Sequence, residues 1–103
     1  MRQGRTPLHW SAANCHIGVV QKLVGAGANV HATNQWGSTP LHRSAMEGRV
    51  EVSQMLAEAG ADVNATDKQG ATPLHWSAAN CHIGVVQMLV GAGAGPRGGE
   101  PDA

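Results

Sequence analysis

The chain contains no phenylalanine and no tyrosine, and three tryptophans are its whole aromatic content. A core must therefore be built from Leu, Val, Ile and Ala, and at 103 residues it can only be small. Charged residues make up 14% of the chain, with 7 Lys and Arg against 7 Asp and Glu. With this balance the chain has no excess of positive charge to attract nucleic acid or an anionic membrane surface. Neither is therefore expected as a partner.

Long apolar runs are also lacking. No segment approaches the roughly 20 residues of a membrane span, and the opening Met-Arg-Gln-Gly is not followed by the apolar core of a signal peptide. We therefore expect an intracellular protein, either cytoplasmic or nuclear.

What the chain does contain is a repeated motif. Thr-Pro-Leu-His begins at Thr6, Thr39 and Thr72, always 33 residues apart. A fixed period of this size indicates stacked copies of one small unit instead of a single globular core.

Each unit predicts two short helices. In the first unit, Thr6 can cap a helix that begins at Pro7 and runs to about residue 14, since Pro is favoured at the first helical position. A second helix is expected over residues 17–26, where Gly27 suits a left-handed cap. The polar residues 29–38 then predict a hairpin-like loop that leads into the next Thr-Pro.

Three such motifs in phase resemble the ankyrin repeat family, whose signature is Thr-Pro-Leu-His-x-Ala. The resemblance covers residues 1–94. It implies an all-α solenoid of stacked helix-turn-helix units with hairpin-like loops, and a non-enzymatic protein that binds a partner protein in a concave groove roofed by the loops. The repeats would span residues 1–33, 34–66 and 67–94, the last one truncated, and 95–103 would form a flexible Gly/Pro-rich tail.

The chain departs from the family pattern between the helices. Cys15 and Cys81 occupy the slot where Gly48 stands in the second unit, and this slot favours a left-handed backbone that is costly for a residue with a Cβ. The two cysteines lie two repeats apart, or roughly 16–20 Å in a stack of helices. They should therefore be free thiols unless two chains meet.

The first and third units are nearly the same sequence. Residues 3–28 and 69–94 match at 24 of 26 positions, differing only at Arg5/Ala71 and Lys22/Met88. Packing alone does not demand matching surface residues, so we interpret the match as a recent duplication or a constructed copy.

The six histidines do not predict catalysis or a metal site. In the family the signature histidine, here His9, His42 and His75, braces the turn through the Thr hydroxyl and nearby backbone. His16 and His82 follow the cysteines, but one Cys-His pair supplies two ligands where zinc requires four. Neither pair has an evident orienting group for nucleophilic catalysis. We therefore expect no enzyme activity and no cofactor.

We expect a partner protein to contact the side chains that the stacking of the units leaves exposed. Positions 10, 13 and 14 of the first helix share a face, and the loop tips project beside it. The candidates on the helices are Trp10, Asn14, Arg43, Met46, Glu47, Trp76 and Asn80. The candidates on the loops are Arg5, Gln35, Trp36, Lys68 and Gln69.

Three of these assignments have alternatives. Trp36, at an otherwise polar loop tip, is the strongest candidate for a binding hot spot, but it could fold back on its own loop or pack on a neighbour. Trp10 and Trp76 could ladder across the groove or fill space beside small Ser and Ala. Arg43 could form a solvated pair with Glu47, four residues on.

Two further functions remain open. Leu56 and Asp62-Val63 before Asn64 resemble the site of the asparaginyl hydroxylase that modifies ankyrin repeats, although Asn64 could simply fix its loop by side-chain hydrogen bonds.

Repeat arrays usually need polar end units, and this chain shows none before residue 6. It could therefore be a fragment of a longer array or associate with itself through uncapped ends.

Overall fold

The structure is a computed structural model, and it describes residues 6–94. The predicted tail at 95–103 and the candidate Arg5 lie outside the described residues. Within 6–94 the chain forms helices and turns and no strand, which confirms the all-α prediction. The six helices, in chain order, are α1 (Pro7–Ala13), α2 (Ile17–Gly25), α3 (Pro40–Met46), α4 (Val50–Glu58), α5 (Pro73–Ala79) and α6 (Ile83–Gly91).

The Thr-Pro motif starts α1, α3 and α5 as predicted. In α1 the Thr6 hydroxyl accepts from the backbone N–H of His9 at 3.2 Å, while His9 Nδ1 accepts from the backbone N–H of Thr6 at 3.3 Å. The histidine ring thus takes the part that Glu or Gln usually plays in such a reciprocal cap. Both predicted helix ends were one residue too long, because Asn14 and Ala26 are the C-terminal caps.

The turns between the paired helices have the predicted left-handed backbone. Gly48 has φ +75°, and Cys15 and Cys81 hold the same conformation at φ +58° and +59°. Gly27 has φ +89° and closes α2 as expected. The two cysteines therefore carry backbone strain that glycine would avoid. Both are free thiols in the chain.

The helices stack in two layers, with α1, α3 and α5 in one and α2, α4 and α6 in the other. The body measures 40 × 25 × 24 Å, which fits a short solenoid. The core lies between the layers and is aliphatic. Its fully buried large aliphatic side chains include Leu8, Leu41, Leu56, Leu89, Val20, Val52 and Val85.

Polar contacts tie each unit to the next. His9 Nε2 donates to the Ser38 carbonyl at 2.8 Å, and His42 Nε2 donates to the Ala71 carbonyl at 2.9 Å. The signature histidine therefore braces its own turn, as predicted, and also holds the loop of the following unit.

A second set of contacts joins the turns between helices. Arg49 Nε donates to the Ala13 carbonyl at 3.0 Å, and His82, the equivalent residue one repeat later, contacts the Met46 carbonyl through Nε2 at 3.0 Å. These bonds fix the rotation of each unit on its neighbour, and with it the alignment of the loops.

Candidate functional site

Two loops cross one edge of the stack, and an Asx side chain shapes each of them. Asn34 Oδ1 accepts from the backbone N–H groups of Trp36 and Ser38 at 2.9 and 3.0 Å. Asp67 Oδ1 accepts in the same way from Gln69 and Ala71, both at 2.9 Å. Such turns hold a short loop in one conformation, so the side chains at its tip have fixed positions.

Trp36 projects from the first of these loops. Its side chain is 52% exposed, so about half of the indole surface is open to solvent. Its backbone carbonyl accepts from Lys68 N–H at 3.0 Å, which joins the two loop tips to each other. The indole is thus an exposed apolar group on a rigid support.

Two clefts flank Trp36. The first cleft, of about 300 Å³, lies between the first and second units. The second cleft, of about 190 Å³, lies between the second and third. Asn34, Trp36 and Arg43 line both clefts. The first cleft adds His9, Trp10, Ala13 and Asn14, and the second adds Ser38, Met46, Asp67, Lys68, Gln69 and Trp76.

The other two tryptophans differ despite their equivalent positions. Trp76 is half-buried, and its Nε1–H donates to Asp67 Oδ2 at 2.9 Å. Trp10 is 58% exposed and stacks on the His16 ring with centroids 5.1 Å apart. The space-filling interpretation is therefore wrong for Trp10, whose ring is more exposed than covered.

Arg43 is half-buried where the two clefts meet. Its Nη1 donates to Met46 Sδ at 3.6 Å. The alternative pair with Glu47 does not form, and within residues 6–94 no carboxylate lies at ion-pair distance from this guanidinium.

The nearest carboxylate in the second cleft is already bonded. Burial raises the pKa of Asp67, but hydrogen bonds from Trp76 and from the backbone of Ala71 and Gln69 outweigh it, and the net pKa is lowered. Asp67 is therefore ionised at neutral pH and directed at its own loop and at Trp76.

The structure brings some of the predicted partner-binding residues together in the two clefts. Eight of them line the clefts: Trp10, Asn14, Trp36, Arg43, Met46, Lys68, Gln69 and Trp76. Gln35, Glu47 and Asn80 line neither cleft, and Asn80 Nδ2 instead donates to the Met46 carbonyl at 3.3 Å. Sequence reasoning missed Asn34 and Asp67 as site residues. Their signal is an Asx three residues before a glycine with positive φ, at Gly37 and Gly70.

Asn64 does not fix its loop as the simpler interpretation held. Asp62 Oδ1 does so, by accepting from the Asn64 backbone N–H at 2.9 Å. The Asn64 side-chain amide is half-exposed and makes no hydrogen bond to any described residue.

The described part of the chain offers little support for metal binding or for membrane insertion. Residues 6–94 contain no group of three or more His, Cys, Asp or Glu side chains placed to hold a metal ion. None of the helices described there has the length and apolarity needed to span a bilayer.

Stacked helix pairs with a loop-edged groove define a helical repeat protein. A family model for ankyrin repeats matches residues 8–97 in three copies, and the chain therefore belongs to the ankyrin repeat family. Ankyrin repeats are generally modules for protein–protein interaction. No curated protein shows a significant match to the chain.

Proposed function

We propose that this chain is a non-enzymatic, intracellular interaction module that binds a partner protein along the two clefts. The observation that carries the proposal is Trp36, an indole 52% exposed on a rigid loop that lines the same clefts as Arg43, which has no carboxylate partner among residues 6–94. Trp and Arg are the residues most enriched at interface hot spots. Ordering them before binding lowers the entropy lost when a partner docks.

A capture experiment tests this proposal. Cell lysate is passed over the immobilised chain and over a Trp36→Ala, Arg43→Ala double variant, and the retained proteins are identified by mass spectrometry. We expect at least one protein to be held by the parent and lost from the double variant, because each hot-spot truncation costs about 2 kcal/mol or more of binding free energy.

The matched control carries its substitutions in the other layer, which α2, α4 and α6 form. A Gln54→Ala, Gln87→Ala variant alters exposed residues on α4 and α6 and should retain the same proteins as the parent. If parent and double variant retain identical proteins, the clefts are not the binding surface and the proposal fails.

One contact counts against end-to-end self-association as the main function. His82 of the third unit lies over Gly48, where an added Cβ would come within 2.6 Å of His82 Nδ1. A second copy stacked on the third unit in this register would place its His16 over Cys81, which does carry a Cβ. The outer faces of the first and third units therefore complement each other poorly at this point.

Asn64 supports a second candidate function, as a substrate of an asparaginyl hydroxylase. Its amide is half-exposed and free of hydrogen bonds to described residues, so local opening would not have to break one. After incubation with such an enzyme we expect a mass gain of one oxygen on the peptide containing Asn64. His31, at the equivalent position, serves as the internal control for an asparagine-specific reaction, and an unmodified Asn64 peptide would exclude this function.

A further inference from the structure

Arg43 donates to Met46 Sδ but has no carboxylate partner among residues 6–94. Positions 34 and 43 in the second unit correspond to positions 67 and 76 in the third. In the third unit the carboxylate of Asp67 is bonded to Trp76 through Oδ2. In the second unit a neutral Asn34 stands where that carboxylate would be, beside a cationic Arg43.

Asn34 cannot neutralise the guanidinium. Its Oδ1 accepts two backbone N–H groups, so the group that Asn34 has left to offer is its NH₂ donor. Asn34 and Arg43 therefore bring donors and positive charge to both clefts. Lys68 adds a second cation at the rim of the second cleft. The ionised Asp67 adds one negative charge there, and its oxygens accept from Trp76 and from its own loop.

Three of the nine residues that line the second cleft around this charge are apolar. Trp36, Met46 and Trp76 line the second cleft, and the bond from Trp76 to Asp67 holds the Trp76 ring in place. At about 190 Å³ the second cleft is below the size of ordinary small-molecule pockets and suits one or two side chains.

We infer that Arg43 and Asn34 receive the carboxylate of an Asp or Glu in a linear segment of the partner, with an adjacent apolar side chain packing on Trp36. This inference rests on the proposed function and names its partner chemistry. A guanidinium binds a carboxylate through two parallel N–H···O bonds, and the half-buried position of Arg43 makes such bonds stronger than at an open surface.

A peptide selection tests it. A random library of displayed 12-residue peptides is selected on the 103-residue chain, and the binding of the enriched synthetic peptides is measured by fluorescence anisotropy. We expect them to share an Asp or Glu beside an apolar residue. Replacing that acid by its amide should weaken binding about tenfold or more, the usual loss when a charge-assisted hydrogen bond is removed.

The decisive variant is Asn34→Asp. Asp67 shows that a carboxylate can make the same turn bonds at this position, so the variant should fold normally. Its free carboxylate oxygen would neutralise Arg43 internally and compete with the peptide. We expect affinity to fall about tenfold or more, and we expect the acidic and amide forms of the peptide to bind this variant equally. Arg43→Gln, which removes the charge without a buried carboxylate, should give the same result.

The other outcomes separate this inference from the proposed function. Peptides that require Trp36 but lack an acid, or that bind the Asn34→Asp and Arg43→Gln variants unchanged, would overturn the carboxylate site and leave the interaction module standing. If no peptide binds in a Trp36-dependent way, the carboxylate site is overturned, and the capture experiment decides the proposed function separately. Displacement of the peptides by a single-stranded oligonucleotide at physiological salt would also overturn the inference.

Discussion

Replacing Gly48 by alanine is expected to lower the free energy of unfolding by about 2–4 kcal/mol. Two effects add. A left-handed backbone costs a residue with a Cβ about 1–2 kcal/mol, and Gly48 has φ +75°. The new Cβ would also lie 2.6 Å from His82 Nδ1 and 2.8 Å from His82 Cε1, so the ring must move and its bond to the Met46 carbonyl is lost.

The Gly70→Ala variant separates the cost of the left-handed backbone from the cost of the contact with His82. Gly70 has φ +80°, and nothing lies within 4 Å of the Cβ that would be added there. It should therefore show the backbone cost alone. Urea unfolding followed by circular dichroism measures both variants, and the difference between them reports the collision with His82.

A double-mutant cycle checks the assignment. In a His82→Ala background the collision is absent, so Gly48→Ala should cost no more than Gly70→Ala does. Equal losses for Gly48→Ala in both backgrounds would mean that His82 does not restrict this slot. The first unit carries Cys15 in the same slot, where the following unit presents the long, flexible Arg49 in place of a histidine ring.

The fold could be predicted because its signals are local and repeated. Thr-Pro fixes where a helix begins, and the left-handed slot fixes where it turns, so the helix ends were wrong by one residue only. The bonds between units could not be predicted. Whether Arg49 reaches the Ala13 carbonyl depends on the rotation of one unit on the next, which no local pattern specifies.

The candidate site was predicted less completely. Helical spacing placed Arg43 and Met46 on the groove face, but the polar loop left open whether Trp36 projects or packs back. The different surroundings of Trp10 and Trp76 did not follow, although residues 7–13 and 73–79 have the same sequence. Their environments differ because the loop before Trp76 closes over its ring through Asp67, and this contact joins residues nine apart.

Replacing His42 by alanine is expected to cost about 2–4 kcal/mol of unfolding free energy. The ring is fully buried, and its Nε2 donates to the Ala71 carbonyl at 2.9 Å. Its Nδ1 accepts from the Thr39 backbone N–H at 3.1 Å. Alanine would leave a cavity between the second and third units and would deprive both backbone groups of their partner.

His75→Ala is the matched control. His75 makes the same bonds to Thr72, but it is exposed, and its Nε2 contacts no described residue. Its removal should cost about 0.5–1.5 kcal/mol, the usual contribution of a single hydrogen bond. If both variants lose the same stability in urea, the bond from the signature histidine to the next loop contributes nothing.

The same bonds make stability depend on pH. Burial lowers the pKa of His42 below 6.5, and the hydrogen bond to Ala71 and the nearby Asp67 oppose it only in part. Because Nδ1 accepts and Nε2 donates, the neutral ring fits the site and a protonated Nδ1 does not. A lowered folded pKa gives stability that is fully present above the unfolded pKa and is lost as pH falls through the folded one.

The pH profile therefore separates His42 from the other histidines. Between pH 7 and pH 5 we expect the parent to lose stability faster than His42→Ala, by at most about 1.4 kcal/mol per pH unit. Asp67 also has a lowered pKa, but its contribution is lost only as pH falls below 3.8, outside this window. Parallel profiles for parent and variant would show that His42 is protonated in the folded state without penalty, and the lowered pKa of His42 would then be wrong.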